Sequence, residues 1–134
     1  MKSFKFEVIT PTKVFYEDDV EYINFTALNG EMGVLAGHAP TLVANKPCTL
    51  TIKKDGKENH AFISEGFIEI TKEKVSAVVD MADWSKDINT EEEIKKLKEE
   101  EEKLEHRHHD AERSLELKAS IERSKAAIKA SNFR

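Results

Sequence analysis

The sequence predicts an α+β chain. An N-terminal antiparallel β-sandwich of about ten strands over residues 1–84 is followed by a C-terminal two-helix hairpin over residues 85–134. Three observations lead there. All five glycines and all three prolines precede Trp84, which marks a boundary between a turn-rich and a turn-poor region. Short apolar–polar alternations, separated by turn signals about every 8–12 residues, fill the first part as in a small sandwich. A helix-start signature and thin apolar stripes of helical period fill the second.

Phe4, Phe6 and Val8 alternate with Lys5 and Glu7, the period of a half-buried strand, and Pro11 ends it. Val14 and Tyr16 give a short piece before the acidic break Glu17-Asp18-Asp19. Val20, Tyr22, Asn24 and Thr26 alternate with Glu21, Ile23, Phe25 and Ala27, a run rich enough in β-branched and aromatic residues for a strand. Residues 30–40 hold three glycines and a proline among apolar neighbours. A solvated loop would carry more Ser, Asn and Asp, so a tightly shaped, partly buried turn or bulged strand is expected. Leu50 and Ile52 lead to Asp55-Gly56, a hairpin signal, and His60, Phe62 and Ser64 mark the return strand. Gly66 introduces Phe67-Ile68-Glu69-Ile70, and a polar turn separates it from Val75-Ser76-Ala77-Val78-Val79.

In the second part, Asn89 or Thr90 is placed to cap a helix, and Thr90-x-x-Glu93 matches a capping box. Ile94, Leu97 and Leu104 form its apolar stripe, and Glu91, Glu92 and Glu93 suit the positive end of its dipole. The polar run Glu105-His106-Arg107-His108-His109-Asp110 is expected to turn the chain into a second helix from Asp110 to about Ser131. That helix carries two stripes. Leu117, Ile121 and Ile128, with Ser114 and Ser124, line one face; Ala111, Leu115, Ala119 and Ala126 line roughly the opposite one. Either one stripe packs and the other merely holds small residues, or the helix has two alternative partners. Charge is segregated too. Eight glutamates and four lysines lie between Glu91 and Glu105, whereas Arg113, Lys118, Arg123, Lys125, Lys129 and Arg134 dominate after Arg113.

Bulk properties bound the function. A net charge of −5 argues against nucleic acid as the main partner. No window approaches the roughly 18 apolar residues of a membrane span, and the amino terminus carries no apolar run like that of a signal peptide. The single cysteine, Cys48, excludes an intramolecular disulfide and fits a reducing compartment. No catalytic constellation is apparent. His38 lacks a nucleophile nearby, and Cys48 follows a proline without an activating motif. The glycine spacing fits neither dinucleotide nor Walker loops. His106, His108 and His109 lack a second ligand cluster, so solvated turn histidines are expected there and no metal or other cofactor is implied.

The order Gly30-Glu31-x-Gly33-x-x-x-Gly37-His38-Ala39-Pro40 resembles the signature of the epsilon subunit of bacterial F-type ATP synthase. Phe6-Glu7-Val8-Ile9-Thr10-Pro11 and Ile63-Ser64-Glu65-Gly66-Phe67-Ile68-Glu69-Ile70 extend the resemblance. It implies a non-catalytic subunit of the rotating central stalk, on the cytoplasmic side of the plasma membrane and peripheral to it. Its sandwich would bind the gamma subunit and the ring of c subunits, with Glu31, Met32, Gly33 and His38 as contacts. It also implies a tail that extends into the alpha/beta catalytic head and restrains ATP hydrolysis, here through Arg113, Lys118, Arg123 and Lys125. Some relatives bind ATP through Ile/Leu-Asp-x-x-Arg-Ala and two arginines four apart. Ile88 and Arg123 match that pattern, but Asn89 replaces the aspartate, Glu92 the first arginine and Ala127 the last. A carboxylate near phosphate is repulsive, so ATP binding is not expected. The alternative functional readings are a stand-alone nucleotide-sensing module with ligand-gated helices and a small hydrolase using His38 with Glu31.

Overall fold

The computed structural model describes residues 2–106 and 111–133. Ten strands follow one another: β1 (Phe4–Ile9), β2 (Val14–Val20), β3 (Tyr22–Ala27), β4 (Gly30–Leu35), β5 (Thr41–Asn45), β6 (Cys48–Lys54), β7 (Lys57–Ile63), β8 (Gly66–Ile70), β9 (Val75–Val79) and β10 (Ala82–Trp84). A single 3₁₀ turn (Ser85–Asp87) then leads into helices α1 (Thr90–His106) and α2 (Ala111–Ser131). The predicted sandwich followed by two helices is what the chain forms.

The strands make two layers joined at one corner. The first runs β10-β7-β6-β3-β4 and the second β5-β8-β9-β1-β2. Ala27 opposite Asn45 links them. Every pair is antiparallel except β1 with β9, which run parallel with Val8 opposite Ala77. Phe6, Val8, Val20, Ile68 and Ala77 from one layer meet Ile23, Phe25, Val34, Leu50, Ile52 and Ile63 from the other in a single core. The Asp55-Gly56 turn has positive φ at both positions, 51° and 75°, as a tight two-residue hairpin requires.

Two expectations are revised. The acidic run Glu17-Asp18-Asp19 does not break the second strand, because β2 continues through it to Val20. Two cations hold it there: Lys54, on β6 of the other layer, pairs with Asp18, and Lys5 lies opposite Asp19 across the ladder. Residues 30–40 are also less buried than their apolar content suggests. They form a regular edge strand and a turn in which Val34 alone is buried. Asn89 rather than Thr90 caps α1, accepting the Glu92 N–H at 3.1 Å, while the Thr90 hydroxyl donates to Ser131 Oγ at 2.8 Å. Asp110, Arg107, His108 and His109, expected in the turn between the helices, lie outside the described residues.

Gly66 and Glu7 fix the second layer. A Cβ on Gly66 would fall inside the Val78 carbonyl oxygen of the neighbouring strand. Gly66→Ala is therefore expected to lower stability by about 3 kcal/mol in denaturant unfolding, because the clash is with backbone that cannot rotate away. Glu7 is 8% exposed and accepts the Ser76 hydroxyl at 2.6 Å, with Lys74 Nζ at 3.1 Å. The Ser76 hydroxyl, ahead of the Lys74 ammonium, holds the Glu7 carboxyl below its ordinary range despite burial. A depressed carboxyl contributes stability above its unfolded pKa, and that contribution is lost as pH falls through the folded value. Ser76→Ala is thus expected to cost about 1–3 kcal/mol at neutral pH. The difference from the parent chain should shrink on acidification below about pH 4.3. Urea unfolding at a series of pH values tests both statements.

Candidate functional site

The outer face of the second layer presents an ordered surface. Because directly opposed residues share a face, the registers place Ala44, Phe67, Val78, Ile9 and Val14 in one row across five strands. The next row reads Leu42, Glu69, Ser76, Glu7 and Glu17. Phe67 is 45%, Val14 56% and Leu42 67% exposed. An apolar row flanked by carboxylates, on a sheet face that alternation would otherwise make polar, is the mark of an interaction surface. Sequence reading identified β1, β8, β9 and the start of β2, but neither β5 nor this face. The signal was available in the alternation of Phe67 and Glu69 with the inward Ile68 and Ile70.

The opposite outer face is covered by α2, which packs on β6 and β7. Ala127 and Ala130 meet Phe62 and Ile88 in a small apolar cluster. At the end of the chain, the Phe133 ring lies 4.9 Å from His60. Arg123 Nε donates to Glu65 Oε1 at 3.0 Å, tying the helix to the β7–β8 connection. Leu117, Ile121, Ser124 and Ile128 lie on the packed side of α2, whereas Leu115 is 67% exposed. No residue of α1 is buried. It is held to α2 partly by Glu100, whose carboxylate accepts the hydroxyls of Ser120 and Ser124.

The structure separates residues that the sequence reading grouped. Glu31 sits opposite Thr26 near the tip of the β3–β4 hairpin, and His38 follows the other end of β4, where Leu35 is opposite Tyr22. The span between Glu31 and Leu35 alone is about 13 Å of strand. A hydrolase built on Glu31 and His38 has no geometric basis. Met32 packs partly against the core, and Gly33 lies under Tyr22, whose hydroxyl would stand 2.6 Å from an added Cβ. His38 Nδ1 is 2.8 Å from the Ala39 carbonyl oxygen. Cys48 is buried, receives the Thr26 N–H at 3.4 Å, and has its thiol pKa pushed up by burial, the opposite of an activated nucleophile. His106 ends α1, and no metal-holding group of His, Cys, Asp and Glu occurs among the described residues.

Around the degenerate nucleotide motif the charges are wrong for phosphate. Ile88 is buried under α2, and Arg123 is engaged with Glu65. The cleft beside them is lined by Asp83, Asp87, Glu92 and Glu93 with Lys96. Burial pushes the Asp83 carboxyl up, and the nearby Asp87 charge adds to it.

A family model described as "ATP synthase, Delta/Epsilon chain, beta-sandwich domain" matches residues 3–85. The chain belongs to this family. The ATP synthase epsilon chain of Caldanaerobacter subterraneus subsp. tengcongensis is 43% identical over 89 residues, 66% of this chain and 64% of that one. The epsilon chain of Bacillus cytotoxicus is 36% identical over 90 residues, 67% and 68% of the two chains. Similarity to the first of these relatives thus spans under two thirds of its length. A chain in the cryo-EM structure of the Euglena gracilis mitochondrial ATP synthase (OSCP/F1/c-ring, rotational state 1) superposes with a TM-score of 0.81. That match covers 98% of this chain and 82% of the other at 22% identity, a likeness of fold. In this delta/epsilon-family chain no helix among the described residues is long and apolar enough to cross a membrane.

The docked tail makes a direct prediction. Arg123→Ala removes a half-exposed ion pair worth about 0.5–1 kcal/mol, so amide exchange in α2 should quicken several-fold while the sandwich strands stay protected. Equal exchange in parent and variant would show that the pair does not hold the helix.

Proposed function

We propose that this chain is a non-catalytic central-stalk subunit of an F-type ATP synthase, coupling the gamma subunit to the ring of c subunits during ion-driven ATP synthesis. The division at residues 84 and 85 separates an anchor from a regulatory tail. The observation that carries the reading is the exposed apolar row on the layer that α2 leaves bare. It supplies a five-strand face for a stable partner, and we assign it to gamma. The β4 edge and the turn after it present Glu31, Met32, Gly33 and His38 as contacts to the ring or to gamma. The complex is held at the cytoplasmic side of the plasma membrane through these partners, not by insertion of this chain.

The tail is proposed to restrain ATP hydrolysis by presenting Arg113, Lys118, Arg123 and Lys125 to an acidic region of the alpha/beta head. These residues span about 18 Å of helix, long enough to engage a surface rather than one side chain. Tight ATP binding by the chain itself is not expected. Carboxylates line the cleft where Ile88 and Arg123 lie, and Arg123, the one arginine lining it among the described residues, already has a carboxylate partner.

Hydrolysis by the matching alpha/beta/gamma complex tests the assignment. The full chain should bind and inhibit, and a version ending at Asp87 should bind without inhibiting. Its core contains no tail residue, so it is expected to fold. Phe67→Glu should lower affinity for the complex by at least tenfold while leaving the circular dichroism unchanged, since it buries a charge only in the complex. Unchanged affinity would remove gamma from that face; inhibition by the truncated form would take the brake away from the helices.

A further inference from the structure

The first layer ends in an open edge. β4 pairs with β3 on one side, and no strand lies on its other side among the described residues. Thr26 shows which backbone groups face out there. Its N–H goes to Cys48 Sγ at 3.4 Å and its carbonyl receives the Lys46 N–H at 2.9 Å, both away from β4. Opposed residues in an antiparallel ladder exchange two hydrogen bonds or none, in alternation. Thr26 and Glu31 are a pair that exchanges none, so Glu31, Gly33 and Leu35 turn their N–H and C=O groups to the open side. The Leu35 carbonyl is taken by the His38 N–H at 3.3 Å. Edges of this kind are normally blunted by charge, brevity or cover, because they template pairing with other chains. The other edges follow that rule. β2 carries Glu17, Asp18 and Asp19, and β10 is three residues long, with Lys57 and Glu58 on the β7 edge beyond it. β5 is joined to the β3–β4 hairpin through the Ala44 carbonyl and Asn45, which leaves only residues 41–43. β4 has six residues, two of them glycines, and a single charge.

We propose that β4 accepts an extended segment of another polypeptide as a sixth strand of the first layer. Donors and acceptors that recur in a line about every 7 Å match an extended backbone, and neither a helix nor a compact ligand. Gly33 puts no side chain in the way of a second backbone, and the Tyr22 ring covers its outer side. The faces of β4 set the chemistry of the partner. Met32 and Val34 lie on the core side, so the incoming strand is apolar at the alternate positions beside them. Beside Glu31, on the outer side, it is polar or basic, because like charges across a ladder repel. Main-chain hydrogen bonds supply the attachment and the alternation supplies the selection. The contact assigned above to Glu31, Met32, Gly33 and His38 is then one of backbone as well as side chains. The identity of the partner rests on that reading; the mode of contact does not.

Two substitutions at one position separate backbone from side chain. Glu31→Pro removes an outward N–H and leaves the ladder to β3 intact, a change that edge strands tolerate, whereas Glu31→Ala removes the carboxylate and keeps the N–H. Affinity for the alpha/beta/gamma complex joined to its c-ring should fall about tenfold or more for Glu31→Pro and about threefold at most for Glu31→Ala. In the parent chain, amide exchange at Glu31, Gly33 and Leu35 should slow about tenfold or more on assembly, a readout that holds even where the proline variant is unstable. A synthetic strand, acetyl-Thr-Val-Thr-Val-Lys-amide, should shift the β4 amide resonances of the free full chain saturably, and its fully N-methylated analogue should not. Equal affinities of the two variants, both folded by circular dichroism, or unchanged exchange at the three amides overturns strand addition. If the parent chain fails to bind the assembly, the central-stalk reading falls and the peptide decides the edge. Absence of saturation, or equal shifts with the N-methylated analogue, then overturns the proposal.

Discussion

The second layer depends on one close approach. β8 settles in register on β9 because Gly66 carries no side chain against the Val78 carbonyl. Register in a sheet fixes the facing of every side chain, since a slip by one residue exchanges the two faces. With Gly66 opposite Val79, Ile68 and Ala77 point into the core and Phe67 and Val78 point out. The parallel pairing of β9 with β1 carries the same phase on, so that Val8 is inside and Ile9 outside. Core and interaction face are two consequences of one constraint.

The helical tail is built on a different principle. Its interface with the sandwich uses Ala127 and Ala130, which let the backbone come close but remove little apolar surface from water. A polar contact adds to it, Arg123 with Glu65, while Thr90 with Ser131 ties the two helices to each other. Helix α1 has no fully buried residue and is held to α2, partly through Glu100 and two serines. The sandwich core contains no tail residue, so its packing does not depend on the helices.

Much of this was legible in the chain, and the remainder was hidden for physical reasons. Alternation and turn chemistry are local, so most strands, the Asp55-Gly56 hairpin and both helices could be read directly. The continuation of β2 through Glu17, Asp18 and Asp19 could not, because Lys54, far along the chain, neutralises Asp18. The pairing of Arg123 with Glu65, separated by 58 residues, is likewise a product of the fold. The capping residue was ambiguous between Asn89 and Thr90 until Ser131 engaged the Thr90 hydroxyl. Glu31 and His38 are near neighbours in sequence, but an extended strand carries them to opposite ends of β4, a separation that motif reading overlooks.

Arg123 links the two states of the proposed cycle. In the docked tail its guanidinium is engaged by Glu65, whereas the proposed contact with the catalytic head requires it elsewhere. One side chain cannot serve both carboxylate partners at once, so docking and inhibition exclude each other at this residue. The pair is half-exposed and contributes about 0.5–1 kcal/mol, so this contact alone does not lock the docked state. A tight apolar tail interface would have fixed the helices to the sandwich. The alanine-rich interface of α2, with a surface ion pair as its fastening, leaves a gap that an acidic surface on a partner can overcome.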